Sequence, residues 1–406
     1  MDTINQLPST LTLTSTAFTI TITTLLITYI TLVRILRYKN LQSIQRKYGK
    51  YTQNPYAMDY KTAHAILKTV FLREFPFIYG FGTQFALIKS YGVASGTQLL
   101  VHTRRLTSKR TVGKRAEDTG VFIAEFLVSG IDTPRGLKAL AKMNWIHRQY
   151  GSKITNGEMV HTLALFVLEP QRWIDKYEWR PLTEIERVAI FTYWREIGNR
   201  MGMRDIPRTL EEFKTWTADF EEKNMRFAES NRKCVLATLD LFVRPLPGFM
   251  QQIITDKVFP TFIEPHVRPV LGLRDPPFVV EKGMEWFFFI RKLLIRYLFL
   301  PRWSDVDAVG RENESGRVVR TVYLFEPWYV AETVWSFVLK TVLGRIAKRA
   351  PGPEFMSEGY LPEELGPVEF RDRSRDDVLA EAEGLKEYAQ RGGGVGIGCP
   401  FGPAYR

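Results

Sequence analysis

T-P-R-G-L-K-A-L-A-K-M-N-W-I-H-R-Q-Y, Thr133 to Tyr150, combines a helix start with a helix period. Thr133-Pro134 sets a capping side chain before a proline at the first helical position, where the missing N–H costs nothing. From there Leu137, Leu140, Ala141, Asn144 and His147 recur every three or four residues and share one face. The spacing predicts a helix whose buried stripe ends on an amide and an imidazole. A lone histidine on such a stripe is ordinarily a satisfied core residue, so spacing alone leaves core residue and ligand both open.

The neighbouring segments read the same way. After Asn156 as cap, M-V-H-T-L-A-L-F-V-L from Met159 to Leu168 is apolar all round except for His161 and Thr162. That predicts burial on every side, with partners for both polar groups, since an unpaired buried one costs about 1–3 kcal/mol. Upstream, Arg115 and Thr119 are one turn apart and continue into Phe122, Ile123 and Phe126 on the same face. An arginine opening such a face either snorkels to solvent or meets an anion or polar cofactor edge. Capping boxes at Thr183–Glu186 and Thr209–Glu212 mark two further helices. Strand-like alternation is scarce, and the fold class expected is all-α: one large helical body over residues 40–351.

Composition narrows the class. The 406 residues include 45% hydrophobic and 13% aromatic side chains, enough apolar area to exclude a disordered chain. Two cysteines, Cys234 and Cys399, exclude a disulfide scaffold and offer no zinc spacing. A net charge of +12 points to nucleic acid or an anionic membrane surface. No nucleic-acid motif accompanies the basic cluster Arg104, Arg105, Lys109, Arg110, Lys114 and Arg115, so no nucleic-acid partner is expected.

The membrane reading has its own sequence. No charge interrupts Leu11 to Val33, a run matching the roughly 20 residues that cross a bilayer core. No Lys or Arg precedes it, unlike a cleaved signal peptide, and Arg34, Arg37, Lys39, Arg46, Lys47 and Lys50 follow it. The expectation is a single-pass anchor over 11–33 behind a short lumenal N-terminus (1–10), the body facing the cytosol. Met284 to Leu300 is apolar but broken by Arg291, Lys292 and Arg296; it is read as a core helix in preference to an in-plane interfacial one. The same choice applies to Pro327–Arg349. Residues 352–406, turning to Gly, Pro and charge, are read as a tail.

Common catalytic signatures are absent: no H-E-x-x-H, P-loop, G-x-S-x-G or C-x-x-C occurs. The histidines are His64, His102, His147, His161 and His266, so imidazole ligands are few in kind.

In order along the chain stand R-I-L-R-Y-K at Arg34, E-F-P-F at Glu74, Q-F-A-L-I-K-S-Y-G at Gln84 and K-R-A-E-D-T at Lys114. They continue with W-I-H at Trp145, H-T-L-A-L-F-V-L-E-P-Q-R-W at His161, E-W-R-P-L-T at Glu178 and C-P-F at Cys399. As a set these resemble the ER-bound oxygenases of the mpaB type and, more distantly, the rubber oxygenases called latex clearing proteins. The resemblance implies a helical fold holding haem b, its iron using O2 as co-substrate to cleave a C=C bond. It implies that His147 is the metal ligand, in the place of an R-x-x-H pattern whose arginine is here Asn144. The R-x-x-K-T pattern maps to Arg115, Asp118 and Thr119, with Asp118 for lysine, and a later T-L-x-x-F threonine matches Thr162. Arg115, Thr119 and Thr162 are thereby expected to bond oxygen or a propionate; Asn144, Asp118 and His161 are expected near the cofactor. The distal glutamate of the rubber enzymes has no counterpart. The implied setting is secondary-metabolite biosynthesis at the ER membrane, on a small lipophilic substrate of prenylated or polyketide type. Another oxidation on the same fold (dehydrogenation, hydroxylation or rearrangement) and a tethered scaffold without haem stay open as alternatives; oligomeric state is not readable. Cys399-Pro400, in a Gly-rich stretch, is not read as a thiolate ligand.

Overall fold

The computed structural model describes residues 9–323, 325–342, 350–371 and 373–392. Its first helix, α1 (Ser9–Arg37), projects from the body over its N-terminal part and meets it only at its C-terminal end, and α2 (Lys39–Tyr48) continues the chain into it. Then come α3 (Tyr60–Thr69), α4 (Pro76–Ser90), α5 (Ala94–His102), α6 (Val112–Ala124) and α7 (Pro134–Arg148). The middle of the chain forms α8 (Asn156–Tyr177), α9 (Glu184–Arg200), α10 (Leu210–Asn224), α11 (Glu229–Val243) and the short α12 (Gly248–Ile253). It ends in α13 (Phe278–Tyr297), α14 (Val334–Val342) and α15 (Arg375–Gln390). Among the described residues the only sheet is a two-stranded antiparallel ribbon, β1 (Arg311–Glu312) against β2 (Val318–Val319). The all-α expectation holds.

Caps set the helix starts. Thr133 accepts from the Gly136 N–H, and Thr183 and Thr209 form the expected reciprocal boxes with Glu186 and Glu212. The α8 cap is Thr155, boxed with Glu158, and not Asn156: the hydroxyl one residue earlier accepts from the Glu158 N–H, the third residue of the first turn. The central pair is α4 on α8, flanked by α3 on α9, while α7 packs on α15 and α11 on α5 and α6. The α4–α8 approach depends on Gly82, where a Cβ would lie 2.8 Å from Pro170 Cα.

Two regional expectations are overturned. In α13 only Phe288 is buried, so Met284–Leu300 is not a core helix. Phe288 seats on Tyr177, ring centroids 4.4 Å apart, while Trp286, Phe287, Phe289 and Ile290 stand exposed. Its mixture of aromatics and bases gave it core-like hydrophobicity without a second helix to cover its outer face. Nor does the fold stop at residue 351. Tyr360, Leu365, Val378 and Leu385 are buried, and α15 lies along α7. The Gly- and Pro-rich composition that suggested a tail belongs to tight turns that lead the chain back, such as Gly359 (φ +97°) and Gly366 (φ +93°). Cys399, Pro400 and Phe401 lie outside the described residues. In Pro327–Arg349, Tyr329 is buried whereas Val334, Trp335 and Phe337 of α14 are exposed.

Candidate functional site

His147 sits in the last turn of α7, deep in the body. Burial, and secondarily the nearby Arg115 guanidinium, push its pKa down to about 4, so the ring is neutral at physiological pH. Yet the side chain is only half-buried.

Arg115 comes from α6, which packs between α7 and α11. Its neighbours Arg105 and Lys114 are paired with Glu369 and Asp118, whereas Arg115 is exposed and among the described residues has no carboxylate partner. Its charge reaches two further buried groups. Burial pushes both the Tyr91 hydroxyl and the Cys234 thiol up to about 12, and Arg115 pulls each back. The Tyr91 hydroxyl lies 3.3 Å from Thr238 Oγ1. Tyr91, Cys234 and Thr238 were not candidates from sequence. Tyr91 lies inside the quoted Q-F-A-L-I-K-S-Y-G segment, but no charge or spacing there singles it out.

The other face of α6 explains how Arg115 is held. Glu117 takes Arg320 Nη1 at 2.6 Å and the Phe325 N–H at 2.7 Å. Asp118 accepts from Lys114 and from the Tyr329 hydroxyl, both at 2.6 Å. At the π-turn that ends α6 (Glu125–Ser129), Glu125 takes Arg135 and the Tyr360 hydroxyl, both at 2.6 Å. One Asp118 oxygen is therefore committed to Lys114 on the same helix and the other to Tyr329, which ties α6 to the later part of the chain.

Asn144 is committed likewise. Its Nδ2 donates to Arg200 O at 3.0 Å and Glu381 Oε1 at 2.9 Å, tying α7 to α9 and α15. Thr119 and Thr162 donate their hydroxyl protons to Arg115 O (2.8 Å) and Glu158 O (2.9 Å), one helical turn back. In this arrangement each hydroxyl offers lone pairs and not a proton. His161 is fully buried, its Nε2 3.2 Å from Glu221 Oε1 and its ring stacked on Phe220. Glu221 belongs to an ion cluster in which Lys89 meets Glu169, Glu221 and Glu264 at 3.2–3.3 Å. His161 is thus a satisfied partner of that cluster, on α8, whose main contacts are α4, α9 and α10.

The structure brings His147 and Arg115 together, with Thr119 on the Arg115 face. It turns Asp118 and Asn144 to structural partners and gives His161 a carboxylate of its own. Two surface clefts, of about 300 Å³ between α11 and α12 and about 410 Å³ between α7 and α15, are lined by other residues. Among the described residues no three metal-ligating side chains cluster, so a polydentate protein metal site is not formed there.

Residues 72–287 match the family described as ER-bound oxygenase mpaB/B'/rubber oxygenase, catalytic domain. That span runs from before α4 into α13 and contains His147 and Arg115. The chain belongs to this oxygenase family. It is 26% identical to the ER-bound oxygenase mpaB' of Penicillium brevicompactum, over 89% of this chain and 90% of that one. It is 28% identical to mpaB of the same fungus over 77% of each chain. With mpaB of Penicillium roqueforti it shares 34% identity over 52% of this chain and 75% of that one. Membership makes the chain an oxidoreductase that uses O2.

Proposed function

We propose that this chain is a haem-dependent oxygenase of the ER membrane, its body in the cytosol, that cleaves a C=C bond of a small lipophilic metabolite of prenylated or polyketide type. The observation that carries the reading is the enclosed imidazole of His147, held neutral beside a guanidinium without a carboxylate partner. A haem iron asks the protein for one neutral imidazole and its propionates for a cation; a non-haem iron asks for about three side-chain ligands in one place. The described residues fit the first demand. His147 would hold the iron and Arg115 a propionate or the polar edge of bound oxygen, with haem supplying the O2-binding metal. Tyr91, Thr238 and Cys234 would close the polar rim, and Glu117, Asp118 and Asn144 fix the helices that present it.

The overall reaction balances without an outside reductant. The alkene C=C is broken, each carbon receives one oxygen atom of O2, and two carbonyls result. The surrounding apolar helices exclude water and orient a hydrocarbon chain. Orientation is supported by the basic residues Arg34 to Lys50, from the last turn of α1 onward, which favour the cytosolic side.

The test is the absorption spectrum of the full-length protein, oxidised and reduced. A Soret band in the wild type that His147→Ala abolishes supports the reading; a wild type that takes up no haem rejects it. With substrate, ¹⁸O₂ must label both carbonyl fragments, whereas dehydrogenation leaves the product unlabelled.

A further inference from the structure

We propose that the body itself lies on the bilayer, with α13 and the segment after it seated in the lipid headgroup–acyl boundary beside α1. The occupant of this face is lipid.

Apart from the exposed Lys282–Glu285 pair, α13 turns large apolar side chains outward where a soluble surface helix carries polar ones. Its inner face carries Met284, Phe288, Arg291 and Ile295, where Arg291 pairs with Glu178 at 2.9 Å. Its outer face carries Val279, Trp286, Phe289, Ile290 and Leu293 at helical spacing, and these are 79, 62, 49, 51 and 40% exposed. Phe299 and Trp303 extend the patch past the helix end, at 55 and 68%. Side chains of this size, about half bare, sum to on the order of 600 Å², above the few hundred Å² of an ordinary monomer surface.

The position of α1 names the partner. Its 29 residues span about 43 Å, against a hydrocarbon core of about 30 Å. The surplus is the C-terminal end, and that is where α1 meets α13. Val33 is buried, the Tyr29 hydroxyl donates to Leu298 O at 2.7 Å, and Arg37 donates to Phe299 O. Upstream of this junction Phe18, Ile20, Leu25 and Ile27 are exposed. A helix long enough to cross a membrane therefore emerges from the body where the apolar patch lies, so the patch is continuous with the surface that contacts lipid. Lys292, Arg296, Arg302 and Arg34 stand along the same junction, where anionic headgroups would meet them. Exposed tryptophans beside bases are the composition of an interfacial helix.

The proposal rests on reading α1 as a membrane span, and the test separates the two. Single cysteines are placed in the full chain carrying Cys399→Ser, the remaining Cys234 being buried. The sites are Trp286→Cys, Ile290→Cys, Leu25→Cys on α1 and Lys386→Cys on α15. Each is nitroxide-labelled in nanodiscs of phosphatidylcholine and phosphatidylserine, and collision with O2 is compared with collision with a water-soluble nickel chelate. The expected result is a several-fold preference for O2 at positions 286, 290 and 25 and the reverse at 386. If 25 prefers O2 but 286 and 290 behave like 386, the interfacial proposal is overturned and the anchor survives. If 25 also behaves like 386, both fail. Spin–spin broadening at 290 that vanishes on dilution with unlabelled chain means a second copy covers the face, and overturns the proposal as well.

Discussion

His147 and His161 lie on successive helices, each on an apolar stripe, and sequence spacing cannot tell them apart. Their surroundings do. His161 has a carboxylate 3.2 Å away, and His147 has a guanidinium charge nearby. Two expectations follow. His161→Phe removes a bond to a buried carboxylate and should lower the unfolding midpoint by several degrees, equivalent to about 1–3 kcal/mol, with the haem spectrum unchanged. For His147 the folded pKa of about 4 lies below the unfolded value of about 6.5. As pH falls from 7 towards 4, the unfolded chain takes up this proton first, so the stability contributed by the neutral ring is lost over that window. Relative to His147→Leu, the protein without added haem should lose up to about 3 kcal/mol between pH 7 and pH 4, read from denaturant midpoints. A parallel pH dependence in the two proteins would show that the ring is solvated. Arg115 and His147 were legible because each interrupts a local apolar period. Tyr91, Cys234 and Thr238 were not, because α11 and the end of α4 are brought to α6 only by the tertiary fold and these residues carry no local mark.

At the scale of elements, what the sequence made visible was whatever local chemistry determines. Thr183 and Thr209 cap because hydroxyl and carboxylate three residues apart satisfy two N–H groups regardless of the rest of the fold. The failure at α13 has the opposite cause: its hydrophobicity is real, but whether protein or lipid covers Trp286 and Ile290 is decided by tertiary neighbours. Helix packing supplies a paired test in α4. Gly82→Ala places a Cβ 2.8 Å from Pro170 Cα, a backbone atom that cannot step aside, and should destabilise by about 1–3 kcal/mol. Gly80→Ala, two residues away in the same helix, meets nothing within 4 Å and should stabilise by about 0.5–1 kcal/mol. Thermal unfolding of the two variants checks the sign as well as the size. Equal effects would mean that α4 and α8 are not in this close contact.

For the whole molecule, the C-terminal segment determines whether α6 and α7 stay in place. Lys142 donates to Phe370 O (3.0 Å) and Ser374 Oγ (2.6 Å), the Trp145 indole to Asp377 (2.9 Å), and Asn144 to Glu381. On α6, Glu117 binds Arg320 and the Phe325 N–H, and at the following π-turn Glu125 binds Tyr360 as well as Arg135. Ending the chain at Pro351, where composition alone suggests that a tail begins, removes the buried Tyr360, Leu365, Val378 and Leu385. At about 1.5–3 kcal/mol each this is of order 6–12 kcal/mol, comparable to the whole stability of an ordinary domain at about 5–15 kcal/mol. It also strips Lys142 of both its acceptors, Phe370 O and Ser374 Oγ, and takes one partner each from Asn144 and Glu125. The shortened protein should therefore show no cooperative thermal transition and no haem uptake. Leu385→Ala in the full chain should melt cooperatively at a lower temperature, by about 2–5 kcal/mol, and keep its spectrum. A shortened chain that melts like the wild type would show that α7 holds His147 without α15, and that the division read from composition was a true domain boundary.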